Sequence, residues 1–333
     1  MFRENTYITY SSFICSINIT RVDPVSENFQ PSSTYRFIDH DLFSQGNILL
    51  IDGSSVVSTD RSSGDTDLIA GSAENDGYVE GTAVDIRFNN PLSILQLNTT
   101  DILVVDQNNH CIRIISRVTK TSFPFAGQCL IDGDDDGPFL NSKLTYPGNI
   151  VMEPNLDSAM FTHNRQYIKQ LNFTSRTILT YAQLNHTIYD LTFHPENGTL
   201  YISIPSGLGY VIGGNLQLLN QNDGFRDGLL ESASFKSFLP SIIFLTKKLL
   251  LISDYDNGVY RLLDFTYNTT STICEANQVV SAGSVDYCKT YRPLSALLLA
   301  RERKVLIVSE SSVGTISYKN IGKAQYDERW FIL

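Results

Sequence analysis

A six-residue turn, Asp-Gly-x-x-acid-Gly, occurs three times in this chain, at Asp76–Gly81, Asp132–Gly137 and Asp223–Gly228. Seven residues beyond its last glycine each copy is followed by an apolar residue: Phe88, Leu144 or Phe235. A proline comes shortly after, at Pro91, Pro147 or Pro240. The first two copies sit on consecutive units and the third lies further on. Self-similarity at a spacing of roughly 45–55 residues constrains the fold more than any other property of the chain, because a recurring unit buries its apolar faces against copies of itself.

The fullest unit runs from Ala70 to Cys129. After the turn come apolar runs at Leu92–Leu97 and Ile102–Val105, the polar turn Asp106-Gln107-Asn108-Asn109-His110, and the run Cys111–Ile115, closing on Phe125-Ala126-Gly127. Short apolar runs separated by Asp, Asn, Gly and Pro describe a meandering antiparallel sheet. The Asp-Gly and Asn-rich turns supply the positive-φ positions that connect its strands. Four strands per unit at this period is the signature of a β-propeller blade.

Read together, Ala-Gly, Asp-Gly-x-x-acid-Gly, an apolar residue and Pro, an apolar strand, Asp, and Asn-Asn-His-x-Ile-Arg resemble the NHL repeat. The match is fullest at 70–127 and looser at 127–182 and 223–283. The resemblance implies a propeller, commonly six-bladed, but leaves function open, since NHL propellers serve as RNA-binding modules, protein-recognition domains and, occasionally, lyases.

The expected architecture is therefore all-β: residues 1–32 as an N-terminal segment with a ring-closing strand, 33–320 as a six-bladed NHL-like propeller, and 321–333 as a tail. The fifth blade is expected from Ser241–Leu245, Leu249–Ser253, Gly258–Asp264 and Val279–Ala282. The last offers three strands, Leu294–Ala300, Lys304–Ser309 and Gly314–Tyr318. The N-terminal stretch Ile14–Val22 is expected to supply its fourth and so remove an exposed sheet edge, with Trp330–Leu333 as the alternative.

A net charge of −10 and the lack of a Lys/Arg cluster beyond pairs such as Lys247-Lys248 argue against nucleic-acid binding. No stretch has the length of a membrane-spanning helix, so direct membrane insertion is not expected. Phe13–Ile19 is too short and polar for a signal-peptide core, and no signal peptide is evident. Six Asn-x-Thr sequons, at Asn18, Asn98, Asn172, Asn185, Asn197 and Asn268, exceed the number (about two) expected by chance. Of the five cysteines, Cys111 and Cys129 stand at the ends of a predicted strand pair, and Cys274 and Cys288 bracket another strand; Cys15 is left over. Two short-loop disulfides and N-glycosylation together point to an extracellular or secreted glycoprotein.

Asp132, Asp134 and Asp136 match the first half of a calcium loop, but the twelfth position is Lys143 rather than Glu. Because the same turn recurs without the extra aspartates, a blade-opening turn explains it better than a metal site. The histidines are His40, His110, His163, His186 and His194. His110 occupies a repeat turn, and His163 reads as its blade-three counterpart. Asp106, Asn164 and Asp254 follow second strands and read as turn caps. There is no His-Glu-x-x-His and no Gly-x-Ser-x-Gly, so no catalytic residue is assigned. No cofactor is expected, with calcium or zinc the remaining option.

The resulting reading is an extracellular or cell-surface recognition or adhesion module that binds a protein or glycan through loops at the channel mouth. Candidate loops are Gly77–Asp85, Gly133–Asn141 and Gly224–Ser232, with Asp76, Glu80, Asp136 and Asp227 as candidate ligand contacts. The alternative is a channel-metal enzyme of the peptidyl-hydroxyglycine lyase or lactonase type. A third class, a cytosolic scaffold, requires reduced cysteines and unused sequons.

Overall fold

The computed structural model describes the backbone of residues 9–10, 13–14, 17–24, 35–40, 47–60, 65–273, 293–299, 304–309 and 313–320, and side chains over 47–60 and 65–273. It is an all-β propeller. The best-matched repeat unit forms an antiparallel meander of Pro91–Gln96, Asp101–Asp106, Cys111–Ser116 and Thr121–Ala126. The same meander recurs over Pro147–Met152, Ser158–His163, Tyr167–Asn172 and Thr177–Gln183. It appears again over Asp190–Phe193, Leu200–Ile204, Gly207–Ile212 and Asn215–Gln221. A further copy comprises Ile242–Thr246, Leu249–Asp254, Val259–Asp264 and Thr269–Ile273. Tyr35–His40, Asn47–Asp52, Ser54–Asp60 and Thr66–Ser72 form the blade that precedes them.

These five blades carry the described side chains, where the sequence reading counts six. A further sheet of Pro293–Leu299, Lys304–Ser309, Val313–Asn320 and Ile17–Pro24 is described by its backbone alone. In it the N-terminal strand Ile17–Pro24 pairs antiparallel with Val313–Asn320, at the place where a closing strand was expected. Trp330–Leu333 lies outside the described residues.

First strands of successive blades contact one another, so they form the inner wall. Burial then falls outward. The second strand Leu249–Asp254 is buried at every residue, whereas the fourth strand Thr177–Gln183 is buried only at Ile178 and Ala182. A middle strand is packed on both faces by neighbouring blades, which explains why it reads as a continuous apolar run rather than an alternation. The core is accordingly a series of slabs between blades. One joins Leu103, Val105 and Ile112 to Leu144, Ile150 and Phe161, and another joins Leu49, Ile51 and Val56 to Phe88, Ile94 and Val104. Phe88, Leu144 and Phe235, the apolar residues that follow the recurrent turn, are all fully buried in such slabs.

Two expectations are corrected. The fourth strand of the fifth blade is Thr269–Ile273, not Val279–Ala282, which lies outside the described residues. Asn268, at φ 53°, lets the chain reverse at once, and that left-handed position went unread in the sequence. The three acidic loops also do not ring the channel mouth. Each runs outward and pairs with its blade's outermost strand: Gly81–Thr82 on Thr121–Ser122, Gly137–Pro138 on Thr177–Ile178, and Leu229 and Gly228 on Thr269 and Thr270. They act as fifth strands that cover an edge.

Candidate functional site

Turns between second and third strands, and the links between blades, share one face, called upper below. Turns between first and second and between third and fourth strands share the lower face. In the best-matched blade the upper turn is a short 3-10 segment, Gln107–Asn109, ended by His110 at φ 59°. Asp106 is its anchor. Its Oδ1 accepts from the Asn89 backbone N–H at 2.7 Å, and its Oδ2 from Asn109 Nδ2 at 2.8 Å and Arg113 at 3.3 Å. Asn109 also donates to Gly77 O at 2.8 Å, and Arg113 to Arg87 O and Val79 O at 2.6 and 2.8 Å, so the pair sews the recurrent loop to its blade. The Arg113 guanidinium lies between the rings of Tyr78 and Phe88.

The fifth blade repeats this network and adds a loop carboxylate to it. Asp254 accepts from Lys236 N at 3.1 Å, Asn257 Nδ2 at 2.8 Å and Arg261 at 3.0 Å. Arg261 lies against Phe225 and Phe235 and reaches Asp227 at 2.7 Å. Burial pushes the Asp106 carboxyl up to about 6 despite Asn109, Asn89 and Arg113, and raises Asp254 likewise. The described pairs Ala70-Gly71 and Ala126-Gly127 belong to the same device: Gly127, at φ 82°, passes so close over the turn that a Cβ would stand 3.1 Å from His110 O.

Blade three replaces both residues of the pair but keeps the cation. Its equivalent of Asp106 is His163, not Asn164: the backbone N–H of Thr145 donates to His163 Nε2 at 2.7 Å. His163 is thus the counterpart of Asp106 rather than of His110. Burial, helped by Lys169, lowers its pKa to about 4, so it is a neutral acceptor. Lys169 stands where Arg113 and Arg261 stand, and with no carboxylate on the second strand it takes Asp134 at 2.6 Å and Asp136 at 2.7 Å from the loop. Asp136 also accepts from Thr180 N, and though burial opposes it, Lys169 holds its carboxyl below the ordinary value. The extra aspartates of the calcium-like stretch are therefore counter-ions to a buried ammonium. Asp132 is not among the residues holding Lys169, and Asp135 pairs with Lys143 at 2.7 Å. Among the described residues no group of three or more His, Cys, Asp or Glu side chains is arranged to hold a metal ion.

The remaining expected ligand contacts are dispersed. Asp136 and Asp227 hold their loops to Lys169 and Arg261, Glu80 accepts from the Tyr78 hydroxyl, and Asp76 is exposed. His110 accepts from Tyr146 N at 3.2 Å on the upper face. His194 lies in a lower turn with Nε2 2.9 Å from Lys247 O, and His186 is half-buried; the side chain of His40 lies outside the described residues. The histidines do not converge. Cys111 and Cys129 form a disulfide, whereas Cys15, Cys274 and Cys288 lie outside the described residues.

What the upper mouth does present is aromatic and apolar. Tyr146 and Tyr189 directly precede first strands and so stand at the channel rim. Tyr146 packs edge-on against His110 at 4.8 Å. Tyr189 meets Phe238 at 4.9 Å, and Phe238 meets Tyr255 of the fifth upper turn at 5.3 Å. Beside His110 the disulfide-held loop displays Leu130 and Ile131, 59% and 48% exposed, with Leu130 N bonded to Asn109 O. Below the rim, Asn149 donates to Asp190 at 2.9 Å, and Asp190 accepts from Ile242 N at 2.8 Å, linking the inner strands of three blades. Burial pushes Asp190 up to about 7. Nothing in its local sequence marks Asp190, because the motif lies across three blades.

No protein-family model matches this chain, and no curated protein does. Solved structures match it. An auxiliary nutrient binding protein from Bacteroides ovatus aligns at 12% identity and a TM-score of 0.63, over 90% of this chain and 72% of that one. A nidogen/laminin complex aligns at 14% and 0.53, over 75% and 88%. A putative gluconolactonase aligns at 8% and 0.56, over 90% and 92%. At these identities the likeness is one of fold, and the class it defines is the β-propeller.

Proposed function

We propose that this chain is an extracellular or cell-surface recognition module of NHL-like type, a ring closed at six blades by the sheet containing Ile17–Pro24, which binds a protein or glycan ligand at its upper mouth. The observation that carries this reading is the half-exposed aromatic set Tyr146, Tyr189, Phe238 and Tyr255, on segments pinned by buried polar side chains: Thr145 N bonds His163, Tyr189 O accepts from Asn149, and Lys236 N bonds Asp254. Rings on rigid turns offer large contact area at little entropic cost, suited to peptide side chains and to sugar faces alike. The disulfide supports an oxidising compartment, and the solved structures of similar fold include an auxiliary nutrient binding protein and a nidogen/laminin complex.

The test is binding of the purified secreted protein to arrayed glycans and receptor ectodomains. Tyr146→Ala and Tyr189→Ala are each expected to weaken any hit by about 30-fold, an interface hot spot of about 2 kcal/mol. Val118→Ala, in an exposed lower turn, should leave it unchanged. Hits indifferent to both tyrosines, or stoichiometric zinc or calcium retained with lyase or lactonase turnover, would sink the reading in favour of the channel-metal enzyme.

A further inference from the structure

The meander sorts the sequons by face. Asn98 lies in the turn between Pro91–Gln96 and Asp101–Asp106, and Asn197 between Asp190–Phe193 and Leu200–Ile204. Asn172 ends the third strand Tyr167–Asn172, and Asn268 lies between Val259–Asp264 and Thr269–Ile273. All four positions are on the lower face. Asn18 pairs with Lys319 near the lower end of its sheet. Asn185 alone follows a fourth strand, Thr177–Gln183, and so lies on the upper side.

Local geometry sharpens the division. Asn98, Asn197 and Asn268 are exposed, as is Asn185, so the sites differ in turn geometry rather than in exposure. Asn98 Oδ1 accepts from Thr100 N at 2.8 Å and from Thr100 Oγ1 at 2.9 Å, while its Nδ2 donates to Asp101 at the surface. Asn197 Oδ1 accepts from Thr199 N at 3.0 Å. In both, the sequon is already an Asx turn in which the threonine backbone N–H bonds the asparagine side-chain oxygen. The Asn197 turn is itself built by buried His194, whose Nδ1 accepts from Glu196 N and Asn197 N at 3.2 and 3.3 Å. Asn268 sits at φ 53° at the tip of its turn. Asn185 is held differently. Leu184 N and Ile188 N, on either side, bond Gln166 O and Arg165 O at 2.8 and 2.7 Å, which stretches this sequon across the upper turn of blade three between buried anchors.

We infer that the propeller is glycosylated on one face, at Asn98, Asn197 and Asn268, and that the upper mouth with Tyr146 and Tyr189 is left bare for a macromolecular partner. This rests on the extracellular reading above. A glycan is bulky and well hydrated, so a face carrying three of them is closed to close packing.

The test is secretion of the full chain from a eukaryotic host, with site-by-site glycopeptide mapping and the oxidation state of Cys111 and Cys129 read on the same sample. Occupancy well above half at Asn98, Asn197 and Asn268, with Asn185 at least fivefold lower, is the expected result. The triple variant Asn98→Gln, Asn197→Gln, Asn268→Gln should then remove the glycan mass mapped to those three sites and leave any at Asn18 or Asn172. Comparable occupancy at Asn185, or bare lower sites on a secreted, disulfide-bonded product, overturns the one-face assignment and leaves the extracellular reading standing. A product with free thiols and no glycan at any site overturns both.

Discussion

Asp190 is a carboxylate buried in the inner wall, and the groups that hold it, Ile242 N, Leu191 N and Asn149 Nδ2, are neutral donors. Burial raises it from 3.8 to about 7. The folded state therefore keeps this proton where the unfolded chain has lost it. The contribution to stability is fully present below about 4 and is lost as pH rises to about 7, at a slope of about 1.4 kcal/mol per pH unit. Asp190→Asn is expected to abolish that slope in denaturant unfolding measured from pH 4 to pH 8. It should also cost about 1–3 kcal/mol at pH 5, because an amide turns one N–H group toward another. A slope unchanged in the variant would assign it to other groups. No reading of the sequence could single this residue out among 35 acids, since two of its three donors come from strands 41 and 52 positions away.

At the scale of the blade, the recurrent loop and its anchor form one element: an acid on the second strand, an amide in the turn, and a cation on the third strand. Blades two and five keep Asp106 with Arg113 and Asp254 with Arg261. Blade three has exchanged the acid for neutral His163 and moved the negative charge to the loop. Asp136→Asn should then cost about 1–2 kcal/mol, discounted because Asp136 is partly exposed, by weakening the cradle of a buried ammonium. Adding His163→Asp restores the carboxylate at the second-strand position and should recover at least half the loss. Thermal unfolding of the four proteins in this cycle measures the coupling, and strict additivity would refute the charge exchange. The motif, its spacing and the buried Phe88, Leu144 and Phe235 were all legible as sequence. The acids of the loop were misplaced at the mouth, because a pattern of residues shows that a loop is acidic but not which buried cation it faces.

At the scale of the molecule, two covalent or topological closures are open to measurement. Cys111 and Cys129, 18 residues apart, join the start of a third strand to the loop beyond the fourth. Replacing both with alanine should cost about 2–4 kcal/mol, read as a lowered denaturant midpoint; the wild-type protein under reductant should match it. Deleting residues 1–24 should expose the edge of Val313–Asn320, with a lower melting temperature and concentration-dependent self-association in size-exclusion chromatography. A monomer melting like the intact chain would refute ring closure by this strand. Most strands, the blade period, the Cys111–Cys129 pairing and the N-terminal origin of the strand paired with Val313–Asn320 could be read from the chain alone, because each depends on contacts within one repeat or on the need to cover an edge. The outward course of the acidic loops, the Asp190 wall, the aromatic rim of Tyr146, Tyr189, Phe238 and Tyr255, and the sorting of sequons by face emerge only once blades stand side by side. Each joins residues from different repeats, and their distances depend on how neighbouring blades pack rather than on spacing along the chain.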